Sequence, residues 1–235
     1  MSRLLFKTKK PIYLFAFLAV EFAAWLCVLV VSGSWVRFLS YSAVALSFFF
    51  ALFFIEKNAD TLFAIGGLFC TCVADIFLVL LQREGDTFAM CVFLCSQICY
   101  AGRTCLLAEK KTEKWVQVGI RAALSMIGAL ITVLVLREKT QAVFVISVVY
   151  YVNLLCSVVF AFVHFKTPRA RYMAFGFLSF AFCDLSIGLH FLVDIFSLPP
   201  THFIPKLLSA DVSFVDLFYP PSQALLGASV YPEQK

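Results

Sequence analysis

Apolar residues fill long unbroken stretches of this chain, and short polar runs separate them. The stretches fall at about 11–31, 36–55, 61–81, 87–107, 115–136, 141–164, 171–193 and 209–231. Each is close to the roughly 20 mainly apolar residues that a helix needs to cross the hydrocarbon of a bilayer. The separating runs read "SGSW", "EKNAD", "QREGD", "EKKTEK", "REKT", "HFKTPRAR" and "SLPPTHFIPK". The pattern predicts an all-α fold: an eight-transmembrane-helix bundle forming a single polytopic membrane domain over residues 1–235. The last span carries Asp211, Asp216 and the pair Pro220–Pro221, so a kink or partial unwinding is expected there. Prolines are tolerated in a span only where neighbours satisfy the freed carbonyls.

Composition sharpens this picture. Of 235 residues 62% are hydrophobic and only 14% charged, against about 45–50% and about 25% in soluble domains. The 28 phenylalanines suit helix surfaces that face lipid. No removable leader is expected, because the first stretch runs long and no small-residue cleavage pattern precedes a soluble domain. The nine cysteines lie in or at the ends of apolar runs, which argues against a disulfide framework. Cys91, Cys95 and Cys99 recur every four residues, on one helix face. They read as small residues that let helices approach, not as metal ligands.

Charge sets the orientation. With the N-terminus in the cytoplasm, that side holds fourteen Lys and Arg against five outside. Arg3, Lys7, Lys9 and Lys10 precede the first span, Lys110, Lys111 and Lys114 lie after the fourth, and Lys166, Arg169 and Arg171 after the sixth. Lys235 ends the chain. By the positive-inside rule both termini are expected in the cytoplasm. A bacterial cytoplasmic membrane is the favoured location, with an endoplasmic reticulum membrane as the alternative.

Against this background a few polar residues stand out. The run "FCTCVADIFLVLL" holds one carboxylate, Asp75. Glu21, Gln97, Asn153, Asp184 and Gln223 are the other candidates inside the spans. An ionised residue at the bilayer centre costs roughly 2.5–3.5 kcal/mol on insertion scales, so such residues face the bundle interior and mark functional sites. Spans 3 and 7 run in the same direction, and Asp75 and Asp184 are expected at similar depths. Gly67, Thr71 and Asp75 form one stripe; Gly176, Phe180, Asp184 and Gly188 form another. Small residues beside an acid let a second helix or a lipid headgroup come close. Asp75 is therefore expected to point into a polar pocket shared with Asp184.

A short internal likeness accompanies the pair. "ADIFLVLL" and "CDLSIGLHFL" are each followed, one span later, by a Ser-Gln pair, Ser96–Gln97 and Ser222–Gln223. A parallel four-plus-four arrangement would place both units in one orientation. Interhelical hydrogen bonding alone would also account for Gln97, Asn153 and Gln223, and it is the favoured role of Asn153 and Glu21. His164, His190 and Arg103 lie nearer span ends, where snorkelling suffices.

Two buried acids can divide the work of acid–base chemistry, one holding a proton while the other is ionised. That equips a site to hydrolyse an acid-labile ether or acetal-like bond. The same pair could serve as a proton relay or a cation site in a carrier. No GxSxG elbow, HExxH or Walker loop occurs, so serine-esterase, zinc-protease and nucleotide-driven chemistry lack their usual signals.

The eight-span layout, "GGLFCTCVADIFLVL" followed by "FAMCVFLCSQICYAG", the later "FGFLSFAFCDLSIGL" and the final "FYPPSQALLG" together resemble the lysoplasmalogenase (YhhN-type) membrane family. That family's pattern has Gly-Asp in the third span, His-x-x-Tyr in the fourth, Ser-Asp in the seventh and a Tyr/Gln pair in the last. Asp75 and Asp184 match its acids, Tyr100 its tyrosine, and Tyr219 with Gln223 its last motif. Ala74 replaces the glycine and Cys183 the serine. Gln97 replaces the histidine, a larger change, since an amide does not transfer a proton near neutral pH.

The resemblance implies hydrolysis of the vinyl-ether bond of a lysoplasmalogen to a fatty aldehyde and a glycerophospho-ethanolamine or -choline. It makes Asp75 and Asp184 the catalytic pair, with Asp184 taken as acid and Asp75 as base, an order the sequence does not fix. Gln97, Tyr100, Asn153, Tyr219 and Gln223 become substrate-binding residues. It calls for no metal or other cofactor. The expected partner is a lipid substrate within the membrane, with no nucleic acid. The alternatives are a proton-coupled carrier of a small amphiphile and a lipid-binding protein that has lost turnover with its histidine.

Overall fold

The computed structural model describes residues 11–30, 35–55, 57–83, 86–209 and 213–231. Arg3, Lys7, Lys9, Lys10, Lys235 and Asp211, which carry part of the charge and kink arguments, lie outside them. The described residues form helices and short connections. In order they are α1 (Pro11–Val30), α2 (Trp35–Phe54), α3 (Ala59–Asp75), α4 (Thr87–Leu107), α5 (Lys111–Leu136), α6 (Ala142–Val163), α7 (Pro168–Phe196), α8 (Phe203–Leu208) and α9 (Phe214–Ala228). A π-helical turn, Ile76–Leu80, continues α3, and a 3₁₀ turn, Arg137–Lys139, follows α5.

The polar runs start the helices as capping chemistry requires. Asn58 Oδ1 accepts from Thr61 N at 2.9 Å, and Asp86 Oδ1 accepts from Phe88 N at 2.8 Å. Thr167 Oγ1 accepts from Ala170 N at 3.1 Å, with Pro168 at the first helical position, where its missing N–H costs nothing.

Among the described residues seven helices, from α1 to α7 with the π turn included in the third, are long and apolar enough to cross a membrane. The chain is a multi-pass membrane protein. The expected eighth span, 209–231, takes a different form. The described part of it is α9, 15 residues long, which rises about 22 Å against the roughly 30 Å of hydrocarbon. Ser213 caps its start, and Pro220 and Pro221 lie inside it. Three of its carbonyls take hydroxyl donors: Ser222 Oγ donates to Tyr219 O at 2.6 Å, Ser229 Oγ to Leu226 O at 2.6 Å, and Ser47 Oγ of α2 to Gln223 O at 2.9 Å. The short α8 comes from the preceding polar run, where no helix was expected.

Packing places α9 inside the bundle, against α1, α2, α3 and α7. Gly176 lets α7 approach closely, since a Cβ there would lie 3.2 Å from the backbone nitrogen of Leu226. α3 packs on α4, α4 on α6, and α6 on both α5 and α7. Many phenylalanines, among them Phe15, Phe49, Phe69 and Phe182, point outward as lipid-facing residues should. Cys91 and Cys95 also lie on the outer surface, so they are not the close-packing residues their spacing suggested. Cys99 approaches α3 closely, with its Sγ 3.2 Å from where a Cβ of Gly66 would stand.

Candidate active site

An ion cluster at one end of the bundle fixes the register of the two acid-bearing helices. Asp60, in the first turn of α3, accepts from Arg103 of α4 through two bonds, Nε to Oδ1 at 2.8 Å and Nη2 to Oδ2 at 3.1 Å. Arg169, in the first turn of α7, approaches the same Oδ1 at 2.5 Å. The helices therefore start side by side and run in the same direction. Asp75 stands fifteen residues after Asp60, and Asp184 fifteen after Arg169. At 1.5 Å per residue the two acids reach the same depth.

Arg103 is fully buried, not a snorkelling residue. Its spacing carried the signal: it follows Tyr100 by three, on the inward stripe of α4. Asp60 was passed over as part of a loop.

Asp75 closes the α-helical part of α3 and is almost wholly buried. The π turn begins at the next residue, and such turns recur at functional sites because they re-aim side chains. Asp75 Oδ2 accepts a hydrogen bond from the hydroxyl of Tyr219 on α9. Asp184, partly buried, accepts through Oδ2 from the hydroxyl of Tyr150 on α6. Tyr150 was not anticipated. A tyrosine in mid-span, away from the interfacial belt that tyrosines favour, is the signal that could have found it.

The two Tyr–Asp pairs flank one ring. Phe180, fully buried, lies 5.8 Å from the Tyr219 ring and 6.5 Å from the Tyr150 ring. Phe93 of α4 completes the cluster, 5.6 Å from Tyr150 and 6.3 Å from Phe180. The carboxyls of Asp75 and Asp184 lie within electrostatic reach of each other, and Cys183 is within reach of both.

The other expected residues divide. Gln97 is fully buried one turn from Phe93, and neither amide atom has a hydrogen-bond partner. Tyr100 is fully buried against Phe177, with ring centroids 5.3 Å apart. Gly67 makes room for it, since a Cβ there would lie 2.5 Å from the Tyr100 ring. Thr71, on the same stripe as Gly67 and Asp75, shares a 3.0 Å hydrogen bond with Ser96. Gln223 is fully buried in α9, and its Nε2 donates to Ser222 Oγ at 3.1 Å.

Asn153 faces elsewhere: its Nδ2 donates to Ser125 Oγ of α5 at 3.0 Å and to Val149 O at 2.9 Å. That is interhelical hydrogen bonding. Glu21 has a similar role, with its Oε1 3.1 Å from Ser47 Oγ. Gly188, expected to permit close approach beside Asp184, is exposed and would meet nothing with a Cβ added.

Chemically, the cluster offers two carboxyls, each steadied by a phenol, with apolar rings between and beside them. No described cation pairs with either acid. Such a site can give and take protons. Searches of curated proteins and of solved structures found no match. The family model described as the YhhN family matches residues 36–208, a stretch that holds both acids, Gln97 and Tyr100 and stops short of Tyr219 and Gln223. On that match, which spans most of the sequence, the chain belongs to the YhhN family.

Proposed function

We propose that this protein is an intramembrane hydrolase that cleaves the vinyl-ether bond of a lysoplasmalogen. One observation carries the reading. Two carboxyls from parallel helices lie at one depth, within electrostatic reach, and each is held by a tyrosine hydroxyl instead of a cation. Membership of the YhhN family supports the same substrate class.

The chemistry follows from the groups. One carboxyl, protonated, gives its proton to the vinyl carbon farther from the ether oxygen, the one that carries the alkyl chain, and leaves an oxocarbenium ion. The second carboxylate stabilises that cation and takes a proton from the attacking water. The hemiacetal that forms collapses to a fatty aldehyde and the glycerol hydroxyl, and the proton returns to the first acid. Tyr150 and Tyr219 hold the carboxyls in place. Gln97 lies one helical turn from Phe93, with its amide free to bond a substrate or a water. Phe93 and Phe180 give the alkenyl chain an apolar wall. The charge bias along the sequence puts both termini, and with them the Asp60 cluster, on the cytoplasmic side.

The test is direct. Purified protein in lipid nanodiscs is given a lysoplasmalogen, and aldehyde release is followed. Release is expected from the wild type and not from Asp75→Asn or Asp184→Asn. Full activity in both variants would overturn the assignment of the pair. Uptake into proteoliposomes driven by a pH gradient, with no aldehyde, would establish the carrier instead.

A further inference from the structure

α4 carries a line of buried polar atoms that the protein itself does not satisfy. Gln97, Tyr100 and Arg103 succeed one another at three-residue spacing, and all three are fully buried. Among the described residues, both amide atoms of Gln97 and Nη1 of Arg103 find no hydrogen-bond partner, and between them the Tyr100 hydroxyl lies against the hydroxyls of Thr71 and Ser96. Buried polar atoms are nearly always bonded, to protein or to ordered water, so an orphan needs an explanation. Here three fall on one stripe of one helix, at either end of the buried Tyr100.

The surroundings are polar enough to hold water. The Thr71–Ser96 hydroxyl pair, bonded at 3.0 Å, lies beside the Tyr100 hydroxyl. Asp60 lies against Arg103, and the partly exposed Arg169 opens that end to the surface. A buried water needs two to four polar partners, and this line supplies them in sequence. Its far end, Gln97, is one turn from Phe93, which packs on the Tyr150 of the Asp184 pair.

We propose that ordered water runs along the α3–α4 seam, from the Asp60–Arg103–Arg169 cluster past Tyr100 and Thr71–Ser96 to Gln97 and the two acids. The use made of that water rests on the hydrolase reading; the water line itself does not. Each turnover takes up one water. Its oxygen ends in the aldehyde, one hydrogen on the former vinyl carbon and the other on the glycerol oxygen. The seam delivers it from the aqueous face, while the alkenyl chain enters from the lipid.

Pulsed X-ray radiolysis tests this on the intact wild-type protein in nanodiscs, because side chains next to bound water are oxidised by the hydroxyl radicals it yields. Tyr100 is expected to be labelled several-fold faster, after correction for intrinsic reactivity, than Phe50. That residue is also buried, but its ring is stacked on Phe17 in an apolar cluster. Labelling of Tyr100 no faster than Phe50 overturns the proposal. In a Thr71→Val, Ser96→Ala variant the Tyr100 labelling should fall several-fold, and unchanged labelling overturns it equally. Labelled Tyr100 without aldehyde release would leave the water line standing and remove the hydrolase reading. Aldehyde release with Tyr100 unlabelled would do the reverse.

Discussion

Asp60 and Asp75 belong to the same helix and are both almost wholly buried, at 5% and 2% exposure, yet their partners differ in kind. Both oxygens of Asp60 are engaged by guanidinium groups from α4 and α7. Asp75 and its counterpart Asp184 each take one phenol hydroxyl, through Oδ2 alone. The first arrangement binds three helices and engages both carboxylate oxygens. The second positions a carboxyl and leaves an oxygen for chemistry. Burial alone does not distinguish a structural acid from a working one; the charge of its partners does. The two centres are also connected, because the ion cluster sets the register that brings the working acids level.

The largest expected effects test this contrast directly. Asp75→Asn or Asp184→Asn removes the acid–base group and should lower vinyl-ether hydrolysis by about 10²–10⁴-fold, with the thermal midpoint little changed. Asp60→Asn should act on the fold. It removes the counter-ion of the fully buried Arg103, a change that costs about 3–5 kcal/mol in comparable pairs. Thermal unfolding in detergent should show the loss. If Asp60→Asn were as stable as wild type and the other two variants unfolded, the roles assigned to the two centres would be reversed.

A smaller effect is expected at the tyrosines. Tyr150→Phe and Tyr219→Phe keep the ring contacts with Phe180 and remove one hydrogen bond to a carboxyl. Such a bond to a charged group is worth about 1.5–3 kcal/mol, so a fall in kcat of about tenfold or more is expected, with KM held. A change confined to KM would make the tyrosines substrate ligands instead.

Much of this was legible in the sequence, for physical reasons. A helix in lipid must be long and apolar, so the hydropathy pattern alone located α4 at 87–107 and α6 within a residue at each end. An acid in such a helix must face inward, so Asp75 and Asp184 could be paired on depth and direction. What stayed hidden depends on tertiary contacts. Nothing local marks the π turn after Asp75. The Asp60–Arg103 bond joins residues 43 positions apart, and Asp60 read as loop because it opens its helix. Asn153 is as polar as Gln97, but its side chain turns to α5, a direction periodicity cannot assign without the neighbour's position. The hydropathy reading also ran the last span from 209 to 231, because it could not see the cap at Ser213 from which α9 starts at Phe214.

The smallest effects separate two glycines that the sequence treated alike. Gly67 and Gly188 each lie near an acid on its stripe, and each was read as making room. A Cβ at position 67 would stand 2.5 Å from Tyr100 Cε1, a contact real side chains do not make. The Tyr100 ring is itself fully buried against Phe177, so it has little space to retreat. Gly67→Ala should therefore cost about 1–3 kcal/mol, the usual range for overpacking a filled interior. Position 188 is exposed and a Cβ there meets nothing within 4 Å. Gly188→Ala should leave the fold intact or stabilise it by about 0.5–1 kcal/mol, since alanine loses less backbone freedom in a helix. Thermal unfolding of the two variants side by side decides the matter. Equal midpoints would mean that α3 and α4 are not pressed together at Gly67, and the seam that holds Tyr100, Ser96 and Thr71 in line would lose its packing basis.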